Sequence, residues 1–157
     1  MQTEPDWQGK HSNPSGRVHI GENTIIRELV IINKPVYETT YIGSNCYLMN
    51  RSFVGHDCYI GDNVTLYPGS SVCGFVNIGD YTRIGVNASI HQNATIGRCC
   101  MIGGGSFFKG TSPDGITWGG VPAKPLKVNY KGIENTSFSL EEKNRIIKAA
   151  ENYMKSS

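Results

Sequence analysis

The stretch Val54-Gly55-His56-Asp57-Cys58-Tyr59-Ile60-Gly61-Asp62-Asn63-Val64-Thr65-Leu66 sets a beat of six. Val54, Ile60 and Leu66 are aliphatic at that spacing, and two places before each stands a small or β-branched residue, Ser52, Cys58 and Val64. Working outward, the aliphatic column runs without a miss from Ile42 and Leu48 through Val72, Ile78, Ile84, Ile90, Ile96 and Ile102 to Phe108. The small column keeps pace from Thr40 and Cys46 to Cys100 and Ser106, and glycine often follows the aliphatic residue, as at Gly43, Gly55, Gly61 and Gly79. Neither a helix, with 3.6 residues per turn, nor a strand, with two, gives such a period. A solenoid does. Each hexad is a short strand and a turn, and three hexads close one triangular coil. Both columns then point inward, because side chains alternate along a strand. Glycine is expected where the corner is tight or needs a positive φ.

The beat has an upstream fragment, Val18-His19-Ile20-Gly21 with Thr24-Ile25-Ile26 and Val30-Ile31-Ile32. Ile32 to Ile42 is ten residues instead of six, so four extra residues are expected to bulge out as a loop over residues 33–40. After residue 110 the beat stops: Thr111-Ser112-Pro113-Asp114-Gly115 is turn chemistry and Trp118 to Pro125 an extended, proline-limited segment. Ser139-Leu140-Glu141-Glu142 has capping-box spacing and Ile146, Ile147, Ala150 and Met154 form an apolar stripe. These predict a terminal helix over about 140–155 that covers the open end of the solenoid. The fold class is therefore an all-β parallel solenoid of about five coils with one C-terminal helix, divided into residues 1–132 and a helical segment 133–157.

The 157 residues suffice for one domain with a sizeable core. Fifteen Lys and Arg against thirteen Asp and Glu leave a net charge of +2, which argues against a nucleic-acid or acidic-membrane surface. No run is long and apolar enough for a membrane span, and Met1 to Asp6 lacks the apolar stretch of a signal peptide. The five cysteines include no CxxC pair, so neither a disulfide framework nor a thiolate metal site is expected, and a reducing, cytoplasmic setting is. Cys46, Cys58 and Cys100 fall in the small inward column and read as core; Cys73 and Cys99 lie outside it and read as non-catalytic.

Stacking makes residues eighteen apart neighbours in adjacent coils. The corners Gly55-His56-Asp57, Cys73-Gly74-Phe75 and His91-Gln92-Asn93 then share one edge, with His56, Gly74 and Gln92 in a vertical row. A histidine near neutral pKa can take a proton from an attacking hydroxyl or amine. Asp57 could fix its tautomer, and a backbone N–H at Gly74 could meet a developing oxyanion.

The string Val54-Gly55-His56-Asp57-Cys58-Tyr59-Ile60-Gly61, preceded by Tyr47-Leu48-Met49-Asn50, resembles the catalytic coil of the hexapeptide-repeat acyltransferases. Among them it is similar to the UDP-N-acetylglucosamine O-acyltransferases and the nucleotide-amino-sugar N-acyltransferases. The resemblance covers about residues 5–132 and implies a left-handed parallel β-helix and a homotrimer with sites between subunits. It implies His56 as general base beside Asp57, Gly74 in the oxyanion hole, and Asp6, Phe75, His91 and Gln92 at the substrate. Gly120-Val121-Pro122-Ala123-Lys124 resembles the Gly-x-Pro-Ala-Lys segment near bound coenzyme A, which makes Gly110, Gly120, Lys124 and Lys127 the candidate cosubstrate-binding residues. The implied donor is an acyl-CoA, with acyl carrier protein as the alternative, and no prosthetic group or metal is called for. Phe53 and Phe75 stand where the UDP-N-acetylglucosamine O-acyltransferases of lipid A synthesis have further histidines, and Gln8 replaces a lysine of theirs. Two readings compete. A zinc carbonic anhydrase on the same solenoid needs a third histidine where this chain has Ile96, and a non-catalytic assembly module needs no site at all.

Overall fold

The computed structural model describes residues 15–156. Three parallel walls wind around one axis. The first wall stacks Arg17–Ile20, Thr39–Ile42, Tyr59–Ile60, Asn77–Ile78, Thr95–Ile96 and Thr111–Ser112. The second runs from Ile25–Ile26 to Ile116–Gly120, and the third from Ile31–Ile32 to Phe107–Phe108. Five full coils are followed by a partial sixth. Across the regular coils the register step is eighteen, as in Tyr41 beside Tyr59 and Phe53 beside Ser71.

The inward columns are the core. Ile42, Leu48, Val54, Ile60, Leu66, Val72, Ile78, Ile84 and Ile90 are wholly buried, and Thr40, Ser52, Ser70 and Thr82 line the same interior. Cys46, Cys58 and Cys100 are buried with them. Burial pushes the Cys58 thiol up to about 12, which leaves it without nucleophilic character.

Two features differ from the sequence reading, and one choice it left open is settled. The glycines after the aliphatic column answer to tight corners and are not the positive-φ residues. That conformation falls two places later, at Asn45, Asp57, Asn63, Asn87 and Asn93. Gly55 is required by close approach instead, since a Cβ there would lie 2.7 Å from the backbone of the coil above. Nor does the winding end at residue 110. It skips two residues, so Ile96 pairs with Ser112 and Ile102 with Trp118. Trp118 then stands edge-on to Phe108 at 5.0 Å and donates from its ring nitrogen to Ser112 Oγ. Finally, Ala123–Val128 folds back antiparallel on Ile116–Gly120 through a cis Val121–Pro122 bond, a hairpin rather than an isolated extended segment.

The register also places the inserted loop. Arg17 pairs with Thr39, a step of twenty-two, so four extra residues leave the coil between the third and first walls. At the other end, a short helix α1 (Tyr130–Glu134) precedes α2 (Leu140–Ser156). Ser139 Oγ accepts from Glu142 N–H at the start of α2. Ile133, Ile146 and Ala150 close over the top coil against Gly115. Arg98, on the solenoid, binds Asp114 and reaches Glu142 of α2 at 2.8 Å, fixing helix to coil.

Candidate active site

The edge between the third and first walls carries the site. Val54, Val72 and Ile90 are in register, so the three corners that follow them stack. At the parallel edge between the first and second walls, three corner amides are taken by an aspartate of the next coil, and a fourth, at Glu22, by Ser44 Oγ. Ser44 N–H donates to Asp62, Asp62 N–H to Asp80 and Arg98 N–H to Asp114. At the His56 edge the equivalent position of the next coil is Gly74. Its amide makes no hydrogen bond among the described residues. A donor left open on a rigid corner is a ready anion contact.

His56 lies directly beneath it. A Cβ at Gly74 would stand 2.7 Å from His56 Nε2, so only glycine leaves room for the imidazole. The other ring nitrogen, Nδ1, is 2.9 Å from Asp57 Oδ2. An ionised carboxylate only accepts, so Nδ1 carries the hydrogen and Nε2 presents its lone pair toward Gly74. Asp57 has further duties. Its carboxylate accepts from the backbone N–H groups of Val36, Tyr37 and Glu38 in the inserted loop. Burial works against its charge, but those amides and His56 outweigh it and hold the carboxyl below its ordinary range. Asp57 itself sits at φ 54, which suits an Asx residue.

The remaining candidates divide by position. Phe75 is brought to the site, edge-on to His56 with ring centroids 4.9 Å apart. His91 and Gln92 lie one coil higher on the same edge and are exposed, with His91 beside Phe107. Gly110 continues that edge, its carbonyl accepting from Thr95 N–H. Gly120, Lys124 and Lys127 are elsewhere, on the hairpin that extends the second wall, which is the wall opposite the His56 edge. The chain does not bring them to His56. Asp6 lies outside the described residues. The residues that sequence reasoning missed are those of the loop, Val36 to Glu38. Their link to Asp57 is tertiary, and only the four-residue break in the beat hinted at it. Ile96 is buried in the core, and among the described residues no three His, Cys, Asp or Glu side chains gather as metal ligands. No helix among them is long and apolar enough to cross a membrane.

The bacterial transferase hexapeptide model, of six repeats, matches residues 39–74 and 75–110. The chain carries hexapeptide repeats over residues 39–110. An acyl-[acyl-carrier-protein]–UDP-N-acetylglucosamine O-acyltransferase from Burkholderia orbicola is 30% identical over 135 residues, 84% of this chain and 52% of that enzyme. The solved structure of LpxA from Acinetobacter baumannii superposes with a TM-score of 0.80 at 31% identity, over 90% of this chain and 55% of that one. The acetyltransferase domain of PglB from Neisseria gonorrhoeae, solved in complex with acetyl coenzyme A, aligns with a TM-score of 0.56 at 26% identity, over 72% of this chain and 55% of that one. The winding is that of a left-handed parallel β-helix. This hexapeptide-repeat chain spans about half the length of the curated relatives it matches.

Proposed function

We propose that the chain is an acyltransferase that moves an acyl group from a thioester donor to an amino or hydroxyl group of a nucleotide-linked sugar. His56 Nε2 takes the proton of that group as it attacks the thioester carbonyl carbon. The carbonyl electron pair moves onto oxygen, where Gly74 N–H receives it. Collapse re-forms the carbonyl and breaks the carbon–sulfur bond, and the imidazolium returns its proton to the leaving thiolate. Asp57 keeps the tautomer and stabilises the imidazolium. The observation that carries this is the placement of His56 Nε2 under the open Gly74 amide, with Nδ1 held by Asp57.

Acetyl-CoA is the favoured donor, with support from the acetyl coenzyme A complex of the PglB domain. The alternative donor is acyl carrier protein, with support from the names of the O-acyltransferase relatives. Phe75, His91 and Gln92 face the acceptor in this reading, together with Asp6. Gly110, Gly120, Lys124 and Lys127 serve the donor, the lysines against its phosphates. Because the hairpin lysines stand on the wall opposite His56, one chain cannot serve both ends of the reaction. A cytoplasmic homotrimer, in which a neighbour presents its hairpin to the His56 edge, resolves that separation. The test is a screen of nucleotide sugars with acetyl-CoA and with acyl carrier protein thioesters, following free thiol. Acceptor-dependent thiol release is expected, and its absence with every donor would favour a non-catalytic module.

A further inference from the structure

The inserted loop is more than slack in the winding. Three of its consecutive amides, at Val36, Tyr37 and Glu38, are bound to Asp57, the same carboxylate that holds His56. Val36 is buried, while Tyr37 is half exposed. The Tyr37 ring stands 5.8 Å from that of Phe75, which in turn meets His56 edge-on. Tyr37, Glu38, Thr39, Asp57 and Phe75 line a pocket of about 290 Å³. Small-molecule sites run from roughly 300 to 1,000 Å³, so this volume suits one ring rather than a whole nucleotide sugar.

Phe75 is distinguished by its exposure and its ring contacts. Its φ is 58, in the left-handed region that Asn45, Asp57, Asn63, Asn87 and Asn93 hold at equivalent corners, as do Leu29, Arg51, Tyr81 and Cys99. A bulky side chain is strained there, and asparagine in its place would relieve that strain. Tyr81 shares the conformation, but its ring packs on Phe138 and its hydroxyl meets Ser137, so the fold uses it. Phe75 is instead 36% exposed, and its ring contacts are His56 and Tyr37.

We infer that loop 33–38 is the acceptor-side wall of the site, with Tyr37 and Phe75 forming an aromatic platform for the apolar face of a sugar ring next to His56. The carboxylate of Glu38 at the pocket rim would meet that ring's hydroxyls. The loop amides make the wall a positioning element as well, since they anchor the carboxylate that orients the base. This rests on the acyltransferase reading for the identity of the ring, so binding is measured apart from turnover.

The experiment titrates UDP-N-acetylglucosamine into the full chain without any acyl donor, by calorimetry, for the wild type, Tyr37→Ala, Tyr37→Phe and Phe75→Asn. Tyr37→Ala and Phe75→Asn are expected to weaken binding about tenfold and Tyr37→Phe to change it less than about twofold. Phe75→Asn is expected to melt no lower than wild type, because asparagine is at ease at that φ. Unchanged affinity in both truncations, no binding to the wild type, or a loss of affinity matched by a lower melting temperature would each overturn the platform. Weakened binding in a chain that transfers no acyl group from any donor would uphold the platform and refute the proposed reaction.

Discussion

His56 and Gly74, eighteen residues apart, touch across one coil: a methyl group on Gly74 would fall 2.7 Å from His56 Nε2 and 2.8 Å from Cε1. Gly74→Ala is therefore expected to push the imidazole off its position while the coil closes normally, since the flanking Val72 and Val76 remain buried. Activity should fall by about 10²–10⁴-fold, the usual loss when a positioned base is displaced. Steady-state kinetics beside a thermal melt checks this. Retained activity with an intact fold would separate Gly74 from the chemistry.

Asp57→Asn tests the shared carboxylate. Asparagine tolerates the positive φ and keeps one carbonyl oxygen, but it loses the charge that draws Val36, Tyr37, Glu38 and His56 together. A cost of about 1–3 kcal/mol in stability is expected, measured by denaturant unfolding. The pH dependence has a definite sign. The folded carboxyl is held below its ordinary value, so the native state binds fewer protons than the unfolded one in that window. Its contribution is complete above the ordinary carboxylate range and is lost as pH falls through the lowered value. Asp57→Asn should flatten that part of the acid-stability curve.

Ser52 and Ser70 occupy successive rungs of the small inward column, and their buried hydroxyls find no partner among the described residues. The next rung is Ala88. A buried hydroxyl without a hydrogen bond carries a desolvation cost that alanine does not. Ser70→Ala is expected to raise stability by about 1 kcal/mol, and a lower melting temperature would show that the oxygen is needed for packing.

The order of legibility follows the range of the forces involved. Inward columns repeat every six residues because each coil buries the same positions, so Ile60 or Ile84 could be placed without coordinates. The loop was visible as a broken count, and α2 as a stripe behind Ser139. What escaped was tertiary. The skip at residues 109–110 leaves Ser112 and Trp118 in the walls, although serine and tryptophan do not look like members of an aliphatic column. Glycine after the aliphatic residue left a tight corner and a positive φ both open, and at Gly55 it is the tight approach of the coil above. At the edge, stacking brought His56 under Gly74, and Asp57 followed from its place next to His56. Tyr37 was not, because nothing local to it reveals that Asp57, twenty residues on, holds its amide.

The C-terminal cap should be acid-sensitive at one junction. Glu142 accepts from Arg145 and from Arg98, and these hydrogen bonds bring its carboxyl down to about 2. The depressed value means that the stabilisation is complete above the ordinary carboxylate range and disappears as pH falls toward about 2. Glu142→Gln is expected to loosen α2 at neutral pH and to remove that part of the acid transition. Hydrogen exchange of α2 amides between pH 2 and 6 checks it, and unchanged protection would show that Ile146 and Ala150 hold the helix by packing alone.

The proposed reaction turns on His56 as the base. Free-thiol release from acetyl-CoA in the presence of a nucleotide sugar, compared between wild type and His56→Ala, tests it most directly. A loss of at least about 10²-fold with an unchanged melting temperature is expected. Full activity in the folded variant would contradict the account.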